Sequence, residues 1–359
     1  MLQFVWKRIL YGLLVLAGVI IVVFFLFNIL PGDPARMMLG QHADQESVDV
    51  INHDLGRDRP VGVQFLTYVN DLLPVSLHER NDAESPFYLS SDKYAPYTTL
   101  LSVGSKSVVL KSPYLRRSYQ SRRKVTEIIG SAFPQTALLA VTAMLFAVVV
   151  GVSMGVVSAL KKDTWIDRAT LVLSTLGMSV PSFFAAILIA WLFAYVLADI
   201  THLNMFGNLY AIDDYGKGEY IELKNLILPA LTLGIRPLAT LTQLTKNSML
   251  EALSQDYVRT ARAKGLKPWR VVTAHALRNA WSPVVTSSGG WLAGLLAGAV
   301  FVEYVFDWKG MGVVIVDALE KYDFPVVMGS ILFVCVILIV INLLTDILYG
   351  ALDPRVRNR

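Results

Sequence analysis

The stretch that decides the fold is residues 128–160, IIGSAFPQTALLAVTAMLFAVVVGVSMGVVSAL, which contains no charged residue. It is longer than the roughly 20 apolar residues that a helix needs to cross a bilayer. Four further stretches without charge lie at 9–32, 169–198, 279–302 and 324–345. The pattern therefore predicts an all-α polytopic membrane protein.

Composition and the remaining apolar segment complete this prediction. Of the 359 residues 54% are hydrophobic and 17% are charged, whereas a soluble chain has roughly 25% charged residues. A soluble enzyme, a disordered chain and a fibrous repeat are thereby excluded. A weaker apolar segment at about 225–249 contains Pro229, Arg236 and Pro237. The six predicted spans are about 9–30, 132–160, 169–198, 225–249, 281–302 and 324–349.

The distribution of basic residues predicts the orientation. With six spans, the segments 1–8, 161–168, 246–280 and 347–359 lie on one side and hold 15 Lys and Arg. The short segments on the other side, 199–224 and 303–323, hold four. Short cytoplasmic loops are enriched in Lys and Arg. We therefore expect both termini in the cytoplasm.

The chain divides into four predicted regions. Residues 1–30 form the N-terminal cytoplasmic end and the first helix, and 31–127 form a long polar extracytoplasmic loop or subdomain. Residues 128–350 form a core of five transmembrane helices with a cytoplasmic loop at 251–280, and 351–359 form a cytoplasmic tail.

Signatures of catalysis and of cofactor binding are missing. The only Gly-Lys pair, Gly216-Lys217, is followed by Gly218, so the sequence has no P-loop for nucleotide phosphates. The single cysteine, Cys335, lies in an apolar run, and the five histidines have no metal-ligand spacing. We expect no enzymatic activity, no metal and no cofactor in this chain. The basic clusters indicate membrane topology, and no nucleic-acid partner is expected.

Two glycine patterns predict helix packing. Gly151-Val-Ser153-Met-Gly155 matches the serine-nucleophile pattern, but it lies within an apolar run without the strand that this motif requires. Three glycines spaced by four residues follow in the predicted fifth span; they are Gly290, Gly294 and Gly298. Small residues at this spacing let another helix approach closely.

Two residues within the predicted spans are candidates for a substrate path. A charge at the centre of a bilayer costs roughly 2.5–3.5 kcal/mol on insertion scales, so Arg236 needs a partner or a wet cavity. Snorkelling, or a break in the helix between two prolines, is the alternative interpretation of Arg236. Pro181 lies in the middle of the third span and predicts a kink there, because proline removes a backbone donor.

The cytoplasmic segment 251–280 has the pattern of two short helices. Gly265 fits the position after a helix end that requires a left-handed backbone, and Pro268 fits the first turn of a second helix. A solvated basic loop is the simplest interpretation. A helix pair held by two spans is better suited to dock into the groove of a partner.

This segment resembles the cytoplasmic coupling loop of ABC importer permeases of the dipeptide, oligopeptide and nickel class. The resemblance rests on QDYVRTARAKG at 255–265 and on HALRNA at 275–280. It extends to Leu30-Pro-Gly-Asp-Pro34, Asp58-Arg-Pro60, Val180-Pro-Ser-Phe183, Leu228-Pro-Ala-Leu231, Asp353-Pro-Arg355 and the loop Val305–Gly312. Residues from about 76 to 112 match nothing expected in the family and are predicted to be an insertion.

The resemblance implies a six-helix type I importer permease in the bacterial inner membrane. Its expected partners are a second homologous permease subunit, two ABC ATPase subunits and an extracytoplasmic substrate-binding protein. The expected cargo is a peptide, with nickel chelates, glutathione or glycosides as alternatives. The residues implied to couple to the ATPase are Asp256, Tyr257, Arg259, Ala261, Arg262, Gly265, His275 and Arg278.

Two other classes of function remain to be compared with this one. An ion-coupled secondary transporter needs acidic residues at the middle of its spans, and the charge-free stretches contain none. A membrane enzyme or receptor scaffold that works through its outer segment needs a catalytic constellation, which the sequence does not show. Co-purification with an ATPase subunit distinguishes these classes from an ABC permease.

Overall fold

The computed structural model describes residues 2–29, 45–54, 56–212, 218–297 and 299–352. The motifs at 30–34 and 353–355, together with Gly298, lie outside these residues. By their internal contacts the residues form two compact units. Unit 1 comprises 1–12, 132–313 and 336–359, and unit 2 comprises 13–131 and 314–335.

Most of the described chain is helical. The longer helices are α1 (Leu2–Ile29), α2 (Gln45–Asp54), α3 (Val61–Leu72), α5 (Val125–Leu160), α6 (Trp165–Ser179), α7 (Ser182–Trp191), α9 (Lys224–Ser254), α10 (Asp256–Ala263), α12 (Arg278–Leu296), α14 (Met311–Glu320) and α15 (Phe324–Leu352). The short helices are α4 (Ser91–Tyr94), α8 (Ala198–Thr201), α11 (Pro268–Arg270) and α13 (Val300–Val305). Helix α7 continues as a π-helical turn, Leu192–Val196, and α11 continues as another, Val271–Leu277.

Four helices of the described chain are long and apolar enough to cross a membrane. They correspond to the first, second, fourth and sixth predicted spans, and they are Val5–Phe27, Val125–Leu160, Lys224–Ser254 and Phe324–Leu348. The second span begins earlier than the sequence indicated. The fourth, which the sequence supported least, is the most buried of the four, with 67% of its apolar window inside the protein.

The predicted third span is broken at Pro181. Helices α6 and α7 meet at an angle of 111°, so they make a fifth span only if the bent pair counts as one. Val180 is extended (φ −74°, ψ 128°), as expected for a residue that precedes proline. The kink is therefore confirmed, but the bend is much sharper than a kink within a continuous helix.

The predicted fifth span corresponds to helix α12, which has 19 residues. It is not among the helices apolar enough to cross a membrane, because asparagine, serines and glycines interrupt its apolar residues. The chain then leaves the helix at Leu296 and begins α13 at Val300. The structure thus supports four or five spans among the described residues, and a sixth remains a prediction.

Unit 2 contains an antiparallel sheet within the long polar region. Its strands are β1 (Val75–Glu79), β2 (Tyr97–Val103) and β3 (Lys106–Lys111), in the order β1-β3-β2. Val109 of the central strand is fully buried and packs with Leu89 and Tyr94. The segment predicted to be an insertion therefore forms this sheet. A small hairpin in unit 1 pairs β4 (Tyr210–Ile212) with β5 (Glu219–Ile221).

The glycines of the Gly151-Val-Ser-Met-Gly155 motif lie where α5 packs against α9. A Cβ added to Gly151 would lie 2.8 Å from the Leu238 carbonyl oxygen, and one added to Gly155 would lie 2.6 Å from Cβ of Thr245. Ser153 is exposed and donates a hydrogen bond to the Val149 carbonyl oxygen. Helix packing is therefore confirmed for this motif.

Candidate coupling loop and substrate path

The loop predicted to couple to an ATPase folds as two short helices, α10 and α11. Gly265 has φ +73° directly after α10, as predicted. Its N–H donates to the Arg262 carbonyl, and the Leu266 N–H donates to the Ala261 carbonyl. This pair of bonds is the Schellman arrangement, which satisfies the last carbonyls of a helix. Pro268 occupies the first turn of α11, also as predicted.

One face of α10 is buried within the loop itself. Val258 and Ala261 pack with Val271, and Leu253 and Leu266 cover this cluster. Ala261 is only 4% exposed. Ala261, one of the residues that the resemblance implies couple to the ATPase, therefore fills the contact between α10 and the π-helical turn after α11.

The opposite face of α10 is open and highly charged. Four of the predicted residues are exposed there, namely Asp256, Tyr257, Arg259 and Arg262. Further along, Arg278 is exposed and His275 is half-buried. Trp269, which the sequence analysis passed over, is 74% exposed at the start of the second helix. In the sequence, the signal for this residue was a tryptophan next to Pro268 within a basic segment, since aromatic residues are enriched at protein interfaces.

The π-helical turn that continues α11 packs directly on two spans. Val272 and Ala276 lie in a buried cluster with Ala159 at the end of α5 and Met249 and Ala252 at the end of α9. Because packed interiors are dense and deform little, a displacement of this helix must displace both span ends.

A buried ion pair also connects helices near this loop. Nζ of Lys246 in α9 lies 2.5 Å from Oδ1 of Asp167 in α6. Ser158 donates to the same carboxylate at 2.5 Å, and the Asp163 N–H donates to it at 3.1 Å. No local sequence pattern marks this pair, because Asp167 and Lys246 lie far apart in the chain.

Arg236 lies on a polar stripe of α9. Thr240, Gln243, Asn247 and Glu251 follow Arg236 at spacings of four, three, four and four residues, which places them on one face of the helix. Arg236, Asn247 and Glu251 are exposed, whereas Thr240 and Gln243 are half-buried. The guanidinium of Arg236 is in no hydrogen bond or ion pair with the described residues. This exposed polar face contrasts with the burial of the rest of the helix.

The predicted packing glycines of α12 face open space within this chain. A Cβ added to Gly290 or Gly294 meets no described atom within 4 Å. The adjacent Gly289 packs instead, since its Cβ would lie 2.8 Å from that of Thr345 in α15. Gly290 and Gly294 therefore pack against no described residue of this chain, and packing against another chain stays a prediction.

A buried carboxylate organises the segment between α13 and α14. Glu303 is fully buried; it accepts hydrogen bonds from Thr136 at 2.7 Å and from the N–H groups of Gly312 at 2.7 Å and Val313 at 3.4 Å. It therefore caps the N-terminus of α14, where the helix dipole favours an anion. No local sequence pattern marks Glu303, because its partner Thr136 lies 167 positions away in the chain.

Comparison with known proteins assigns the family. The profile of the binding-protein-dependent transport system inner membrane component matches residues 147–358, and the profile of the N-terminal part of such membrane components matches residues 1–88. The chain belongs to this family. It is thus a multi-pass inner-membrane permease of an ABC importer and not an enzyme, and the resemblance stated from the sequence is confirmed.

Relatives in this family match over their whole length. The di/tripeptide transport system permease DppB of Pseudomonas aeruginosa is 35% identical over all of both chains. The dipeptide permease DppB of Alkalihalophilus pseudofirmus is 32% identical, over 99% of this chain and 100% of the relative. The glutathione permease GsiC of Salmonella choleraesuis is 34% identical over 99% of both.

A solved structure supports the fold. An inward-facing structure of the MetNI methionine ABC transporter aligns with a TM-score of 0.51 at 14% identity. The alignment covers 64% of this chain and 97% of that chain. At this identity the likeness concerns the fold alone.

Proposed function

We propose that the permease forms half of a translocation path for small peptides that a binding protein delivers. The observation that supports this proposal is the full-length similarity to permeases named for dipeptides, di- and tripeptides and glutathione. These cargoes share peptide bonds and at least one free carboxylate. Nickel chelates and glycosides, the other cargoes that the sequence left open, have no counterpart among these relatives.

Arg236 and the polar stripe on α9 line this path. A lipid-facing surface cannot accommodate Arg236 within a span without a large cost. A water-filled path, or the facing surface of a second permease across such a path, satisfies this residue, and the stripe continues from it towards the end of the span. Pro181 adds to this path, because the break at α6–α7 frees backbone groups that only water or protein can satisfy. Gly290 and Gly294 offer a flat surface to the second permease.

The exposed face of α10 and Trp269 dock into the ATPase. Two ATPase subunits serve the two permeases, and closure of the ATPases on ATP moves the loop. The buried cluster that joins the second helix of the loop to α5 and α9 then carries this movement into the spans, which alternate between inward and outward openings. Hydrolysis takes place on the ATPase chains.

Both termini and the coupling loop lie in the cytoplasm, and residues 31–127 lie outside. The support is the excess of basic residues in the short segments on the N-terminal side. In a Cys335→Ala background, Ser102→Cys and Ser254→Cys place single thiols on exposed positions of β2 and α9. A membrane-impermeant maleimide added to intact cells labels position 102 and spares position 254. The reverse pattern would overturn the orientation.

Reconstitution tests the function. The permease, its candidate partner permease, two ATPases and the binding protein are assembled in liposomes, and uptake of a labelled dipeptide and ATP hydrolysis are measured. Dipeptide-stimulated hydrolysis and uptake are expected. Arg236→Gln is expected to lower uptake at least tenfold while the complex still assembles. Ile227→Ala, on the opposite side of α9, is the matched control. Unchanged uptake in Arg236→Gln would remove this residue from the path.

A further inference from the structure

Unit 2 contains a cavity of about 320 Å³ that the transport cycle above does not use. It is bounded by His53 and residues 56–71, by residues 83–93 and by residues 114–122. Ligand pockets begin at roughly 300 Å³, so a molecule the size of a small metabolite fits. We call it the cationic cavity.

The lining of the cationic cavity is strongly positive. Six basic side chains line it, namely His53, Arg59, Lys93, Arg116, Arg117 and Arg122. Asp71 is the one carboxylate among the described lining residues. It already accepts a hydrogen bond from the Tyr94 hydroxyl at 2.6 Å, and the Arg116 guanidinium lies 3.7 Å from it. The cavity therefore carries an excess of positive charge that its own carboxylate does not neutralise.

The segment that carries three of these arginines is held in place by Asp323. The Asp323 carboxylate accepts hydrogen bonds from the Ser118 hydroxyl at 2.5 Å and from the Tyr119 N–H at 2.9 Å. Within this segment Arg116 has φ 67° and Arg122 has φ 59°. Such a backbone is uncommon for residues other than glycine and persists only where the surroundings enforce it. The structure thus enforces an unfavourable backbone that places arginines at the cavity.

Some of the basic side chains at the cavity already have hydrogen-bond partners in the protein, and others have none among the described residues. Arg59 donates to the Glu84 carbonyl at 2.8 Å, and Arg117 donates to the exposed Asp92 carboxylate at 2.9 Å. Arg122 and Lys93 are exposed and make no side-chain hydrogen bond or ion pair within the described chain. These two side chains are therefore available for a ligand.

We propose that the cationic cavity binds the free carboxylate of a small peptide, with Arg122 and Lys93 as its principal contacts. This rests on the proposed peptide cargo. Guanidinium groups pair with carboxylates in a geometry that permits two parallel hydrogen bonds, and lysine adds a mobile positive charge. The tyrosines and serines that share the lining supply neutral donors for the remainder of the ligand. The permease thereby holds a peptide in unit 2, apart from the stripe on α9.

Calorimetric titration of the full-length permease in nanodiscs of neutral lipid tests this site. The probes are alanyl-alanine, its C-terminal amide and inorganic phosphate. We expect the dipeptide to bind and the amide to bind at least about tenfold more weakly, because it lacks the charge that the arginine recognises. The double variant Arg122→Gln/Lys93→Gln should lose at least about tenfold in affinity. Arg123→Gln, on the neighbouring exposed residue that does not line the cavity, should bind as the wild type does.

Several results would overturn the proposal. They are equal binding of the dipeptide and its amide, binding of phosphate without the dipeptide, no binding at all, and unchanged affinity in the double variant. Binding that survives in the double variant but is lost in Arg236→Gln would place the peptide on the α9 stripe instead. Dipeptide uptake by the reconstituted wild type is measured in parallel. If the wild type transports dipeptides but the calorimetry shows no binding at the cationic cavity, only the proposed binding site is refuted. If the wild type does not transport dipeptides, the proposed function is refuted.

Discussion

At the scale of single residues, Gly265 shows how a local backbone requirement shapes the coupling loop. Its φ of +73° is accessible to glycine but strained for residues with a Cβ, although a Cβ there would meet no described atom. Any effect of substitution therefore comes from the backbone and not from a clash. This separates Gly265 from Gly155, where a Cβ would meet Thr245.

Gly265→Val is expected to weaken the end of α10 by roughly 1 kcal/mol or more, because a β-branched residue adopts a left-handed backbone at a cost. Peptide-stimulated ATP hydrolysis should fall, while membrane abundance stays normal. Gly265→Asn is the matched control, since asparagine tolerates this backbone region better. Equal loss of stimulated hydrolysis in both variants would show that backbone strain is not the cause.

Ala261→Trp is expected to disrupt the loop from within. The site is enclosed by Val258 and Val271, and inserting a larger side chain into a packed core costs typically about 1–3 kcal/mol. Protease cleavage between 255 and 270 should therefore become faster in the isolated permease, without any ATPase present. Thr260→Trp, on the exposed neighbour, should leave cleavage unchanged. Equal resistance of both variants would show that Ala261 is not enclosed.

At the scale of elements, the pair Asp167–Lys246 links α6 to the helix that leads into the coupling loop. Lys246→Met leaves the Asp167 carboxylate with the Ser158 hydroxyl and the Asp163 N–H but without its cation, which destabilises a carboxylate that is largely removed from water. Thermal stability and dipeptide uptake are expected to fall together. The exchanged double variant Asp167→Lys/Lys246→Asp should recover part of both, because it restores opposite charges.

A second ion pair provides the control for this prediction. Nη1 of Arg8 lies 3.1 Å from Oδ2 of Asp346, and both side chains are more exposed than those of Lys246 and Asp167. Solvent-exposed ion pairs contribute about 0–1 kcal/mol to stability. Asp346→Asn should therefore change the melting temperature and the uptake little. If Lys246→Met behaved like Asp346→Asn, the link between α6 and α9 would have no role in stability or transport.

At the scale of the whole molecule, the sheet of unit 2 has its own dependence on pH. His78 is fully buried, and its ring nitrogens lie 2.9 Å from the Ser76 hydroxyl and 3.1 Å from the Phe87 carbonyl. Burial lowers the pKa of His78 below its ordinary value of 6.5; Lys111 lowers it further, while the Phe87 carbonyl and Asp71 oppose the shift. Because the unfolded chain binds this proton more readily, stability is complete above pH 6.5 and is lost as the pH falls below it.

Hydrogen exchange of residues 75–111, corrected for intrinsic rates, measures this effect. Protection should fall between pH 6.5 and 5, and His78→Gln should flatten that fall. His53 has the opposite pH dependence, because its hydrogen bond to Asp58 raises its pKa. Its contribution to stability is therefore present at low pH and is lost as the pH rises through the raised pKa. An unchanged pH profile in His78→Gln would mean that another group controls the sheet.

Local sequence features predicted much of this protein. The apolar helices, the break at Pro181, the turn at Gly265 and the family follow from charge-free length, from proline and glycine geometry and from motifs of a few residues. Each of these depends on neighbours along the chain, which the sequence displays directly. The resemblance to peptide importers rested on the same kind of local pattern.

Other features were decided only by tertiary structure. Whether Ala261 faces inward or outward depends on where Val271 packs, and the buried bond between Thr136 and Glu303 spans 167 positions of the chain. Periodicity gave no sign of the pairing of Asp167 with Lys246 or of the strand order of the sheet. These contacts form because burying apolar surface brings distant segments together, and the polar groups buried with it must then find partners. The sequence specifies such partners only through the packing of the whole fold.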